Sequence, residues 1–75
     1  NIYPNPAQDI AYLNIPERFM NGAIHVYNTK GQKLIRKTIK GNRETLMLSK
    51  LPAGFYTVVI QKDNHKANKT MMIGF

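Results

Sequence analysis

Apolar side chains recur at every second position along most of this chain, the period of a strand with one buried face. Over residues 9–15 they are Ala11, Leu13 and Ile15, and over 23–27 Ile24 and Val26 share a face. Residues 32–39 alternate less cleanly, with Leu34, Arg36 and Thr38 opposite in parity to Ile35, Lys37 and Ile39. That pattern suits an edge strand with one wet face. Leu46 and Leu48 point inward from 44–48, residues 55–61 are rich in aromatic and β-branched side chains, and 69–73 form a last strand. No segment holds a 3.6-residue apolar period for three turns, so no helix is predicted.

Punctuation falls between these runs at short intervals. Tyr3-Pro4-Asn5-Pro6-Ala7 opens the chain with two prolines, each pushing the residue before it toward an extended conformation. Pro16 ends the first strand, and residues 16–22 read as a loop in which Phe19 or Met20 covers the mouth of the fold. Asn28-Thr29-Lys30-Gly31 has the form of a type I turn closing on a left-handed glycine. Residues 40–43 turn the chain again, and 63–66 turn it before the last strand. Residues 49–54 are too long for a tight hairpin and carry their own apolar plug, Leu51, so they read as the crossing from one sheet to another. Short strands with regular turn signals predict an all-β sandwich or barrel.

Length and composition narrow the reading. The 75 residues predict one domain, and a chain of this size buries only roughly 60% of its unfolded surface. With no cysteine, neither a disulfide nor a thiolate metal site is available, so the apolar core must suffice. Apolar runs are too short for a membrane span, no signal peptide is seen, and the chain begins at Asn1. A domain cut from a longer protein is the expectation.

Charge points outward rather than to chemistry. Eleven Lys and Arg against four Asp and Glu give +7, and Lys30, Lys33, Arg36, Lys37, Lys40 and Arg43 occur with no acid until Glu44. Such a balance favours anionic partners, although lysines on a hairpin also guard an exposed sheet edge. Ser49 lacks a neighbouring base, His25 and His65 lack carboxylates beside them, and the glycines are scattered singly. Catalysis, a metal site and a phosphate-cradling loop are therefore not expected. Tyr12, Tyr27 and Tyr56 with the basic stretch would suit a single-strand nucleic-acid platform. Tyr27 and Tyr56 stand among Val and Ile, however, where rings fill cores or seal edges, and no nucleic-acid partner is expected.

Four motifs in series carry a resemblance. They are Tyr3-Pro4-Asn5-Pro6-Ala7, then Ile24 to Gln32 around the turn, then Leu48 to Tyr56, then a last strand opened by Lys69. In order and spacing, over essentially the whole chain, they resemble the C-terminal sorting domain of type IX secretion, type A. The resemblance implies an immunoglobulin-like antiparallel β-sandwich of about seven short strands without a helix. It implies a non-catalytic address, needing no cofactor, on diverse Bacteroidota cargo. The cargo passes through the periplasm to the cell surface or beyond, and a surface sortase then commonly removes the domain. Implied partners are the translocon, shuttle and sortase proteins, with anionic lipopolysaccharide as a further contact. By position, Pro4, Asn5 and Pro6 match the opening motif and Gly31 the hairpin glycine. Leu51, Pro52, Ala53, Gly54 and Tyr56 match the late motif, and Lys69 the basic residue before the last strand. The chain departs from the family in ending apolar, Met71-Met72-Ile73-Gly74-Phe75.

The last strand, with an exposed edge, is the expected contact with the machinery by β-addition, and an edge-paired dimer stays open. The rival reading is a retained binding or adhesion sandwich appended to a secreted enzyme. Such modules usually present exposed aromatics, and only Tyr3, Phe19 and Phe75 lie outside the predicted strand cores.

Overall fold

The computed structural model describes residues 2–3 and 9–74. Its strands are β1 (Ile2–Tyr3), β2 (Ile10–Asn14), β3 (Ala23–Tyr27), β4 (Lys33–Thr38), β5 (Arg43–Met47), β6 (Gly54–Lys62) and β7 (His65–Ile73). They form two antiparallel sheets, β1-β2-β5 and β4-β3-β6-β7. This is an immunoglobulin-like sandwich in which the fourth strand joins the sheet of the third. The only helical element among the described residues is a 3-10 turn, Glu17–Phe19.

Alternation decides which side chains meet between the sheets. Ala11, Leu13 and Leu46 come from one sheet and Ile24, Val26, Tyr56, Val58, Ile60, Met71 and Ile73 from the other, with Leu48 just past the end of β5, all buried. The segment 49–54 does carry the chain from one sheet to the other, since β5 and β6 belong to different sheets. Leu51 is half-buried against the core, and its N–H bonds the Leu48 carbonyl at 2.9 Å. Phe19, not Met20, is the buried plug at the opposite end, and Met20 packs half-buried beside it. Its ring meets His65 edge-on at 6.1 Å, so Phe19 is no longer an aromatic free to bind a ligand.

Gly22 closes that end by close approach. A Cβ there would lie 2.3 Å from the Gln61 carbonyl oxygen and 2.8 Å from the Lys62 Cβ. Only a residue without a side chain allows β6 to pass so near, while the Gly22 carbonyl accepts from the Ile39 N–H at 2.9 Å.

Two boundaries differ from the alternation. The last strand begins at His65 rather than 69, in uninterrupted register with β6 from Lys62↔His65 to Gly54↔Ile73. Its first residues are polar because they lie on an edge strand, where water is available to one side, so hydropathy does not mark them. The turn therefore shrinks to Asp63-Asn64, with Asp63 at φ +53° as a two-residue hairpin loop demands. Ile2 and Tyr3 add β1 by pairing with Leu13 and Tyr12.

Candidate recognition surface

The late motif is built around a hydrogen bond. Tyr56, buried near the start of β6, donates its hydroxyl proton to the Pro52 carbonyl at 2.5 Å. A tyrosine at this corner bonding to backbone a few residues upstream is the tyrosine corner of immunoglobulin-like sandwiches. It locks the crossing segment onto the strand it feeds. Gly54 sits between them at φ +152°, a backbone region that side chains disfavour, although the space around it is open. Pro52 and Ala53 are exposed on the outside of the corner. Phe55 is 59% exposed, pointing away from the core beside its cross-strand partner Met72.

A shallow depression of about 300 Å³ opens next to the corner, lined by Asp9, Leu48, Leu51, Ala53, Ile73 and Gly74 among others. The structure thus brings Leu51 and Ala53 of the motif against the end of β7. The Asp9 carbonyl, which accepts from Leu48 N–H at 2.7 Å, ties the start of β2 to the same end. Pro4, Asn5 and Pro6 lie outside the described residues.

Gly31 and Lys69 stand apart from this corner. Asn28 organises the β3–β4 turn: its carbonyl accepts from Gly31 N–H, and its Oδ1 accepts from the Lys30 and Gln32 N–H groups, each at 3.0 Å. Gly31 takes φ +83°, which meets the left-handed requirement of such a turn. Lys69 lies in the middle of β7 rather than before it, opposite Val58 and exposed.

The basic stretch divides into structural and free cations. Lys37 reaches from β4 to β5, donating to the Thr45 carbonyl at 2.7 Å and lying 3.3 Å from the Glu44 carboxylate. Glu44 is 8% exposed and accepts from the Lys40 and Gly41 N–H groups at 2.8 and 3.1 Å. Those bonds, that of Lys40 foremost and then Lys37, hold its carboxyl below the usual range against the opposing effect of burial. Arg43 covers the Tyr12 ring at 4.7 Å. Lys30, Lys33 and Arg36 remain exposed on the hairpin. Beside them His25, with its Nδ1 enclosed and unpartnered, is held below the ordinary imidazole range by burial, then by Lys33 and Arg36. Glu44, Gly22 and Phe55 were not singled out by motif. The parity of Glu44 with Leu46 and Leu48 was the available signal for the first.

No group of three or more metal-ligating side chains gathers among the described residues. The chain is thus an immunoglobulin-like sandwich in which Leu51, Pro52, Ala53, Gly54 and Tyr56 gather at a tyrosine corner. Over residues 1–74 the chain matches the family described as the secretion system C-terminal sorting domain, and it belongs to that family. It is also 26% identical over 73 residues to a funoran endo-beta-hydrolase of Wenyingzhuangia aestuarii. That alignment covers 96% of this chain and 10% of the hydrolase, so the chain spans about a tenth of the length of that relative. The sorting domain is a non-catalytic signal of type IX secretion, marking secreted cargo for the cell surface or the extracellular space.

Proposed function

We propose that residues 1–75 act as one self-contained address at the C-terminal end of a longer cargo. Translocon, shuttle and sortase proteins read it, and a surface sortase then removes it. The family match over nearly the whole chain is the observation that carries this reading. The activity of the cargo lies in other residues, and a hydrolase such as the relative is one class of cargo a tail of this kind serves.

Within the motif, the fold separates two sets of residues. Gly31, Gly54, Leu51 and Tyr56 have backbone or packing reasons to be what they are. Pro52, Ala53 and Lys69 are exposed. On this reading the second set, with Phe55 and the end of β7, meets the machinery. Exposed Lys30, Lys33 and Arg36 supply a cationic face for anionic lipopolysaccharide.

A signal-peptide–reporter fusion carrying residues 1–75 at its C-terminus tests the proposal in a type IX-competent host and in a translocon mutant. Reporter outside the cell only in the competent host supports it, and the size of the product reports removal. A folded reporter held in the periplasm of both hosts refutes it and favours a retained binding module.

A further inference from the structure

The outer face of the four-stranded sheet carries its side chains in rows. Ala23 stands between Thr38 of β4 and Gln61 of β6, and in the next row His25 stands between Arg36 and Val59. Ala23 and His25 alternate with buried Ile24 and Val26, so both face away from the core. A short side chain between longer ones leaves room, and a depression of about 340 Å³ opens there. Gly22 and Ala23 leave the space, and Lys62 and Asp63 close it where β6 turns into β7. The tyrosine corner lies at the other end of β6, with Gly54 about 27 Å along the strand from Lys62.

The polar groups around this space are uncommitted. Lys37 is engaged by Glu44 and the Thr45 carbonyl, and Arg43 and Arg18 each lie over an aromatic ring. By contrast, among the described residues the side chains of Arg36, Thr38, Gln61 and Lys62 make no hydrogen bond or ion pair, nor do those of Asn21 and Asp63. Arg36 and Lys62 face a single carboxylate, Asp63, and Lys66 adds a further cation opposite Gln61. His25 registers that excess. Its imidazole is held below the ordinary range by burial, then by Lys33 and Arg36, and its Nδ1 is enclosed without a partner.

Two needs follow from the donor set. The guanidinium fork and the ammonium call for an oxyanion, while the Asn21 and Gln61 amides and the Asp63 carboxylate suit hydroxyl groups. The volume lies at the small end of ligand pockets, about 300–1,000 Å³, and exceeds what a bare ion fills. We propose that this depression binds an anionic sugar unit, with a phosphate or sulfate monoester on Arg36 and Lys62 and sugar hydroxyls on Asn21, Gln61 and Asp63. The site shares Arg36 with the cationic hairpin face but requires neither a lipid nor the secretion machinery. It can therefore fail while the sorting role stands.

Amide shifts of the isotope-labelled protein, at fixed ionic strength, test the site with glucose 6-phosphate, glucose 6-sulfate, glucose and inorganic phosphate. Saturable shifts with the esters are expected on residues 21–25, 36–38 and 61–63, with none from glucose. A response to one ester alone supports the site and names its anion. Arg36→Gln should weaken ester binding about tenfold or more, whereas Lys30→Gln, on the exposed turn, should change it less than about twofold. Ala23→Leu keeps every charge and fills the space, so it should abolish binding. Thermal melts check that the variants fold, and Lys62→Met, with the same expectation as Arg36→Gln, stands in for one that does not. Absence of saturable shifts with either ester overturns the proposal, as do shifts spread over the exposed lysines at large. So does a folded Ala23→Leu or Arg36→Gln protein that binds like wild type. Inorganic phosphate that binds as tightly as the esters overturns the assignment to a sugar.

Discussion

Glu44 offers a calculation that the fold can fail. Removing its carboxylate with Glu44→Ala leaves the Lys40 and Gly41 amides without their acceptor and Lys37 without its counter-charge. Hydrogen bonds to a charged group are worth about 1.5–3 kcal/mol each, and at a turn water recovers part of that. The ion pair adds little, because Lys37 is 41% exposed and pairs of that kind contribute about 0–1 kcal/mol. The amide bonds therefore dominate, and the loss should be about 2–4 kcal/mol. At about 0.05–0.15 kcal/mol per residue, a chain of 75 residues has roughly 4–11 kcal/mol in all. Loss of Glu44 thus removes a large share, and melting should fall by about 10–25 °C. Lys37→Met should cost about 1 kcal/mol or less.

Acid gives the same test with the sign fixed. The Glu44 carboxyl is held low in the folded state, first by the Lys40 amide, so the unfolded chain binds its proton more readily. The contribution is fully present above the ordinary carboxylate range and is lost as pH falls through the lowered folded value. Thermal melts between neutral pH and acid, on wild type and Glu44→Ala, check both statements. A Glu44→Ala protein that melts within a degree or two of wild type would refute the reasoning. So would one that loses stability in acid as steeply as wild type.

Tyr56→Phe keeps the ring and removes the bond to Pro52, and urea titration should show a loss of about 1 kcal/mol with an unchanged slope. Gly22→Ala should cost about 1–3 kcal/mol, because the clash is with Gln61 backbone that cannot swing aside. Gly31→Ala, in open space, should lose only the roughly 1–2 kcal/mol of a left-handed side chain. The His25 imidazole is held below its ordinary range by burial, then by Lys33 and Arg36, so the unfolded chain takes up its proton more readily and stability should decline as pH falls through that range. His25→Gln should flatten that decline in melts between neutral and mildly acidic pH.

Legibility in the sequence followed burial. Where one face is apolar and the other wet, as at Ala11-Leu13-Ile15 or Ile24-Val26, parity alone places the strand. The sheet crossing at Leu51 was readable because its length and proline forbid a tight hairpin. His65–Asn68 was not, because an edge strand is held by backbone bonds to β6 that composition does not express. Gly22 was equally silent: its constraint is a neighbouring carbonyl brought from β6, far along the chain. At the candidate surface, the motif identified which residues gather at the corner but not their roles. Tyr56 and Pro52 are joined by a bond that needs the folded corner to exist, and Lys69 lies within β7 rather than before it only because the polar residues 65–68 pair with β6.

The late motif therefore mixes two requirements that alternation pulls apart. Successive residues of a strand face opposite ways, so Tyr56 turns inward to lock the corner while Phe55 turns out. Packing of the core gives no reason for a phenylalanine that is 59% exposed on an inner strand. Phe55→Ser should consequently move stability by no more than about 0.5 kcal/mol, as surface substitutions usually do. If the outer side of the corner is what the machinery reads, the same substitution should reduce export of a reporter fusion while its melting temperature stays put. Tyr56→Phe should act in the reverse proportion, lowering melting first and export only as far as the fold is lost. Measured as a pair, the two variants separate reading from folding. Full export of a Phe55→Ser fusion would remove Phe55 from the recognition surface and leave Pro52, Ala53 and the β7 edge to carry it.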